Sequence, residues 1–490
     1  MLFEKYQNII EKAVAANRNR TFYAQYPEHP KAYGEEAPAK AAAAFNALLH
    51  QPFKALLQEG ESGWAGEEIS PYTLEPSGIS YPLFPVDTLI SRAAQGAAAW
   101  AKAGAASRAA VLVDSLEKLK EKFFEIAYAT MHTTGQSFIM SFQASGPHAA
   151  DRALEAIAMG YEELNRFPSA ALWEKPMGKM SIKIDKSFRA VPRGTGIVIG
   201  CSTFPVWNTL PGVYASLVTG NPVIIKPHPG AVLPIAIVVS EIQKALKANG
   251  FDPLLCQLAA DSTGHLIAKE LCEHPEVKLI DYTGSTAFGD YIESLKGKSV
   301  FTEKAGINSV ILDSVNDVDA VVQNLAFAVS LYSGQMCTAP QNFFIPEQGI
   351  STATGQLGFN EVTGKIREAI RGLVHNPKMG AGTLGALQNE ATLRRARESK
   401  STGAKVLLAG EAVENGEFPG ARTFSPTVLE VSSADAAIYE KELFGPVVLV
   451  IKTKNSDHSL QLAKEMALKH GAITCAAYTT DPTLMERIAE

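Results

Sequence analysis

The sequence is poor in cysteine, with five in 490 residues. That is too few for a disulfide framework in so long a chain, and an odd number leaves at least one thiol unpaired, which points to a reducing cytoplasm. Long apolar runs are also missing. Stretches such as 197–199 and 326–329 fall far short of the roughly 18 residues a membrane span needs. The opening Met-Leu-Phe-Glu-Lys-Tyr carries charge inside its first apolar stretch and lacks a small-residue cleavage site, unlike a secretory signal. Nor is there an excess of positive charge. Asp and Glu outnumber Lys and Arg 51 to 45, a net charge of −6, which offers no electrostatic footprint for nucleic acid or anionic lipid. What is present is ordinary globular composition, 46% apolar and 20% charged, at a length that implies two to four domains.

Residues 1–85 are rich in Pro, Gly and aromatics between short Ala-rich helical stretches such as Ala37–Leu49, and read as an arm or cap. From Val86 to Thr130 apolar residues recur at helical spacing: Leu89, Ala93, Ala97 and Trp100, then Val111, Leu116, Leu119, Phe123 and Ile126. Lys175–Arg193 alternates Met180, Ile182 and Ile184 with charged residues, which predicts an exposed hairpin with one apolar face. Beyond Pro192 strands alternate with helices. Strands are expected at Gly196–Gly200, Pro222–Lys226, Leu254–Leu258 and Val277–Tyr282. Helices are expected at Pro211–Val218, Leu233–Ala248 and Leu266–Cys272. This grammar predicts an α/β fold with a parallel sheet covered on both faces. Ser309–Leu312 opens a second such series, with a helix at Val318–Tyr332 and strands near Phe343–Ile345, Val406–Leu408, Pro426–Val431, Val447–Ile451 and Ala472–Tyr478. The boundary is placed at 308, giving an arm (1–85), one α/β domain (86–308) and a second (309–490).

Several motifs compete for chemistry. Gly380, Gly382 and Gly385 match a dinucleotide fingerprint, but no buried strand precedes them, so a surface turn is expected. Gly194, Gly196 and Gly200 lie in or before a strand and are read as packing positions. A better phosphate cradle follows Lys278–Tyr282, where Thr283-Gly284-Ser285-Thr286 turns into a helix pattern at Asp290–Leu295. An ordinary helix cap is the competing reading. Cys337, in Ser333-Gly334-Gln335-Met336-Cys337-Thr338, has the polar, glycine-flanked setting a reachable thiol needs. Position alone favours a structural thiol, as a lone cysteine usually is. Glu303 lies 34 residues earlier at the junction of the two series; a thiol that turns over an acyl group needs such a base, although a Glu beside Lys304 is usually just solvated. No Cys/His spacing forms a zinc site, so no metal is expected.

Together these motifs are similar to those of the NAD(P)-dependent aldehyde dehydrogenase superfamily, from about Val86 to the end. The match rests on Gly220-Asn221-Pro222-Val223-Ile224-Ile225-Lys226-Pro227, on Tyr282-Thr283-Gly284-Ser285-Thr286, on Glu303 with Gly334-Gln335-Met336-Cys337-Thr338, and on Glu442-Leu443-Phe444-Gly445-Pro446-Val447. The resemblance implies two Rossmann-like domains, with hairpin 175–193 as an oligomerisation element supporting a homodimer or homotetramer. It makes Cys337 the nucleophile and Glu303 the base for the hydrolytic water. Lys226 binds the adenosine ribose, Gly284 and Ser285 the cofactor phosphates, and Glu442 and Phe444 the nicotinamide ribose and ring. Family members continue past the strand ending near Tyr478, so a C-terminal oligomerisation segment is expected beyond Glu490.

Two departures stand out. Where the family carries an oxyanion-stabilising asparagine this chain has Thr203, in Ser202-Thr203-Phe204-Pro205, so Thr203, Ser202 or Asn208 is expected to substitute, with the backbone N–H of Cys337. Pro229 stands where NAD-preferring relatives often carry glutamate, so a 2′-phosphate is not repelled there and either NADP or NAD is implied. A narrower resemblance points to the PaaN-type aldehyde dehydrogenases of phenylacetate degradation. It rests on Gly63-Trp64, Ile69-Ser70-Pro71-Tyr72, Met131-His132-Thr133-Thr134-Gly135-Gln136, Gly146-Pro147-His148, Thr203-Phe204-Pro205-Val206-Trp207-Asn208 and Tyr332–Cys337. It implies a ring-opened, CoA-linked semialdehyde as substrate. A CoA-acylating dehydrogenase and a binding protein that lost its chemistry are the alternatives; Glu303 argues against the first.

Overall fold

A computed structural model describes residues 2–490. Two parallel sheets dominate it. The first has five strands, β5 (Thr195–Ile199), β6 (Val223–Lys226), β7 (Cys256–Leu258), β8 (Val277–Thr283) and β9 (Ser299–Glu303), in the order β7-β6-β5-β8-β9, all parallel. They are preceded in the chain by two hairpins, β1 (Gly63–Ala65) with β2 (Tyr81–Leu83) and β3 (Ala170–Met177) with β4 (Met180–Ser187). The second large sheet contains β10 (Ser309–Leu312), β12 (Asn342–Pro346), β15 (Lys405–Leu408), β16 (Thr427–Ser432), β17 (Val447–Thr453) and β18 (Cys475–Tyr478), in the order β15-β16-β17-β12-β10-β18, with only the edge strand β15 antiparallel. A small sheet of β11 (Ser314–Val315), β13 (Ile350–Thr352) and β14 (Gly355–Leu357) lies beside it.

Near-continuous apolar strands such as Val223-Ile224-Ile225 are buried on both faces because helices cover both sides. Helix Leu233–Ala248 runs as expected from its apolar periodicity. The helix placed at Pro211–Val218 begins earlier, at Pro205. Proline fits the first turn, where its missing N–H has no partner to lose, and Pro211 lies within the helix. The 86–130 region forms three helices, Val86–Lys102, Gly104–Lys120 and Phe123–Thr134. The hairpin starts at Ala170 instead of Lys175 and ends at Ser187, leaving 188–193 outside it. Cross-strand pairs Trp173–Ile184 and Met177–Met180 gather its apolar face, which is exposed in the single chain. Gly380–Leu384 is a short helix and not a surface turn. Gly380 is buried, and a Cβ on Gly385 would lie 2.4 Å from the carbonyl of Gly135.

The N-terminal 85 residues pack into the same core as the helices that follow, through Tyr6, Ile10, Tyr26, Phe45 and Tyr81. Polar side chains tie this segment to the first sheet. Gln58 accepts from Leu258 N at 2.7 Å and donates to Leu258 O at 3.1 Å, covering the outer edge of β7. The carboxylate of the buried Glu68 accepts from Val232 N, from Leu233 N at 2.8 Å and from the Tyr81 hydroxyl, satisfying the start of helix Leu233–Ala248. Among the described residues, no helix is long and apolar enough to cross a membrane.

Candidate active site

A cleft of about 220 Å³ opens between the carboxyl ends of the first sheet and the loops of the second. Cys337, Glu303, Thr203, Gly284, Ser285, Glu442 and Phe444 all line it, so seven of the eight residues singled out in the sequence converge.

Cys337 is held by an unusual backbone. After helix Val318–Ser330 the chain passes through Tyr332, Ser333 and Gly334, all with φ between +49° and +66°. Two consecutive non-glycine residues in that region cost free energy and persist only where the surroundings over-determine them. Here they do. The Tyr332 hydroxyl donates to Thr134 O at 2.6 Å, and that of Ser333 lies 3.0 Å from both Leu384 O and Phe424 O. Gln335 donates to Ala386 O and accepts from Gln388 N. Gly334 is required, because a Cβ there would sit 2.6 Å from Gly445 O. Past the thiol, Asn308 donates to the carbonyls of Cys337 (2.7 Å) and Ala339 (3.1 Å).

Glu303 ends the edge strand β9, where its carbonyl accepts from Gly284 N at 3.0 Å. Its carboxylate accepts from Asn208 Nδ2 at 3.2 Å through Oε2, and its buried Oε1 has no partner. Burial, and then the charge of the neighbouring Glu303 carboxylate, push Cys337 up to about 12. The resting side chain is therefore a thiol with a proton acceptor beside it. Asp281, one strand in from Glu303, is pushed up to about 6 by burial and by that second carboxylate.

Thr203 reaches the cleft, but its hydroxyl lies 4.0 Å from Cys201 Sγ and its carbonyl accepts from Gln136 Nε2 at 2.8 Å. Asn208, from the second turn of helix Pro205–Val218, presents its amide to the same cleft. Cys201, which directly follows the glycine at the end of β5, lines the cleft as well. Only the fold reveals this, because the turn after β5 carries Cys201 towards Cys337.

The other wall is suited to a dinucleotide. Ser285 precedes helix Thr286–Glu293 with extended backbone, and its hydroxyl does not cap that helix. The turn is held by Tyr282, whose hydroxyl donates to Ser285 O at 2.9 Å. A Cβ on Gly284 would meet that hydroxyl at 2.4 Å. An uncapped helix start beside a tight glycine turn supplies backbone N–H donors that fit a pyrophosphate. Glu442 accepts from Gly306 N at 3.4 Å and is raised by burial. Arg395 donates to Phe444 O at 2.6 Å and fixes that loop.

Lys226 is the exception among the eight. It does not line the cleft. Its Nζ lies 2.7 Å from the carboxylate of Asp261 and donates to Pro227 O at 2.8 Å, with both charged side chains buried. Asp261 went unremarked in the sequence; its signal was a lone acid directly after the apolar run that ends in Ala259 and Ala260.

Comparisons with known proteins agree with this arrangement. The family model described as the aldehyde dehydrogenase family matches residues 84–490. The crystal structure of an NAD-dependent aldehyde dehydrogenase from Burkholderia multivorans is 42% identical and superposes with a TM-score of 0.96, covering 100% of this chain and 88% of that one. A 1-pyrroline-5-carboxylate dehydrogenase of Bacillus subtilis (strain 168) is 29% identical over 312 residues, 61% of this chain; the match spans little over half of that protein, 56%. An NADP-dependent glyceraldehyde-3-phosphate dehydrogenase from Bacillus halodurans C-125 shares the fold at a TM-score of 0.70 and 20% identity, over 87% of this chain and 85% of that one. With its motifs gathered in one cleft and the family model matching from residue 84 onward, the chain belongs to the aldehyde dehydrogenase family.

Proposed function

We propose that the protein oxidises an aldehyde to a carboxylic acid with NAD or NADP, Cys337 acting as nucleophile and Glu303 as base. The observation that carries this reading is the shared cleft, which brings the Cys337 thiol beside the Glu303 carboxylate and leaves one buried oxygen of that carboxylate without a partner. Glu303 takes the thiol proton, and the sulfur adds to the aldehyde carbon to give a hemithioacetal. The dinucleotide, when bound, supplies the hydride acceptor that turns this adduct into a thioester. Glu303 gives up the thiol proton to solvent and then takes a proton from water as it attacks the thioester carbon; the acid leaves and Glu303 returns that proton to the sulfur. Thr203, Asn208 and the Cys337 N–H are the donors placed to stabilise the oxyanion. Gly284 and Ser285 are placed to hold the pyrophosphate, and Glu442 and Phe444 the nicotinamide ribose and ring.

The narrower motif set supports the PaaN-type branch and, with it, a ring-opened, CoA-linked semialdehyde as substrate. Three of those motifs meet behind Thr203, where Gln136 braces its carbonyl and His148 lies edge-on to Trp207, ring centroids 4.2 Å apart. A homodimer or homotetramer is supported by the exposed apolar face of the β3–β4 hairpin; a monomeric mass in solution would contradict it.

The deciding experiment is steady-state turnover with NAD and NADP across aliphatic, aromatic and CoA-linked aldehydes, with and without free CoA. CoA-independent acid formation that Cys337→Ala abolishes is expected. Strict CoA dependence with an acyl-CoA product, or activity that survives Cys337→Ala, would overturn the reading.

A further inference from the structure

We infer that Asp281 is the proton acceptor behind Glu303, the group through which the base gives up the thiol proton before it activates water. This rests on the reading of Cys337 and Glu303 given above and adds the route by which the proton leaves.

Side chains alternate across a strand, and Ile280 and Tyr282 of β8 pack into one cluster with Leu89, Ile267 and Ile292. Leu279, Asp281 and Thr283 therefore face the other way, towards helix Pro205–Val218. In the parallel pair β8–β9, Asp281 lies opposite Phe301 and Thr283 opposite Glu303. The two acids are thus diagonal neighbours on one face, with Cβ atoms about 7 Å apart, a gap that their side chains and one water can close. One helix covers both. Asn208 donates to Glu303 at 3.2 Å, and Gly212, one turn later, lies over Asp281. A Cβ on Gly212 would sit 1.9 Å from Asp281 Oδ2, so glycine is what makes room for this carboxylate.

Asp281 does not serve stability. Among the described residues no hydrogen bond or ion pair reaches its side chain. Its neighbours on that face are otherwise neutral: Val198 of β5, Thr283 of its own strand, Phe301 of β9, and Asn208 and Gly212 of the helix. Burial, and then the charge of Glu303, push its carboxyl up to about 6. An unpaired acid in such surroundings is costly, whereas one that titrates there can both take and release a proton during turnover.

The step is a transfer between two carboxyl groups. The Glu303 O–H bond breaks as an Asp281 O–H bond forms, which returns Glu303 to the carboxylate that water activation needs. Asp281 keeps some exposure and hands the proton on to solvent. Nothing is oxidised or reduced.

A single turnover with aldehyde and NAD(P), followed by reduced-cofactor absorbance and by a pH indicator, tests this in the wild type, Asp281→Asn and Gly212→Ala. The wild type should release protons in step with the burst of reduced cofactor. In Asp281→Asn the burst should survive within about twofold while proton release lags it and kcat falls roughly tenfold or more. Gly212→Ala displaces the carboxylate without removing it and should show the same lag. Wild-type kcat should fall as pH drops through about 6, where Asp281 gains a proton and can accept no other, and Asp281→Asn should lose that midpoint. Proton release in step with the burst in a folded Asp281→Asn, at a kcat within about twofold of wild type, would overturn the inference and leave Cys337 and Glu303 in their roles. A wild type that reduces no cofactor would overturn that reading as well. If Asp281→Asn does not fold, the wild-type profile decides, and a kcat that stays flat through about pH 6 and below would overturn the inference.

Discussion

The side-chain amide of Asn208 donates to the Glu303 carboxylate at 3.2 Å, joining a helix that follows β5 to the last residue of β9. Glu303 sits on an edge strand, and Asn208 is the side chain that donates a hydrogen bond to its carboxylate. Asn208 is thus what aims the carboxylate into the cleft.

Asn208→Ala removes that donor and leaves the carboxylate free to turn. Losing one hydrogen bond to a charged group predicts a fall in kcat of roughly 10- to 100-fold. The KM for NAD(P) should change much less than kcat, because Asn208 bonds the Glu303 side chain and not the Gly284–Ser285 turn. An unchanged kcat would show that Glu303 is positioned by other means.

The thiol of Cys337 is raised to about 12 by burial first and by Glu303 second. Removing the carboxylate's charge favours the thiolate, so Glu303→Gln should move the pH midpoint of Cys337 alkylation downward. Iodoacetamide labelling read by mass spectrometry of the Cys337 peptide between pH 7 and 10, where the thiolate is the minor form, should then be faster in the variant at each pH. An upward shift would mean that Glu303 does not face the thiol in solution.

The buried Glu68 carboxylate accepts from Val232 N, Leu233 N and the Tyr81 hydroxyl, with the Ser77 side chain beside it. Glu68→Ala leaves all three unmet and opens the contact between the N-terminal segment and helix Leu233–Ala248. A loss of about 2–4 kcal/mol is expected in urea unfolding. A loss below about 0.5 kcal/mol would mean that water satisfies those donors.

Elements with a strong period were legible in the sequence, and the reasons are physical. Leu233–Ala248 buries nearly all its apolar residues and ends before Asn249-Gly250, so pattern and termination agree. The strand Ser309–Leu312 is a short run buried on both faces. β9 was missed because it is an edge strand whose residues are at most half-buried and carry no alternation. Its end is the reason Glu303, outwardly a solvated acid beside Lys304, stands in the cleft. The helix start at Pro205 was hidden because Pro211 looked like the natural beginning. The motifs carrying Cys337, Gly284 and Glu442 were visible as words. Their convergence was not, since the cleft joins residues from 201 to 444. The Lys226–Asp261 pair could not be read at all, because it depends on β6 and β7 being neighbours in the sheet.

The roles of Cys337 and Glu303 are separated most directly by following Glu303→Gln through a single turnover with aldehyde and NAD(P). A rapid burst of reduced cofactor, close to one per active site, should precede slow turnover, and intact mass followed by peptide mapping should find the acyl group on Cys337. Turnover at the wild-type rate with no acyl-enzyme, or an acyl group on Cys201 in place of Cys337, would contradict the assignment.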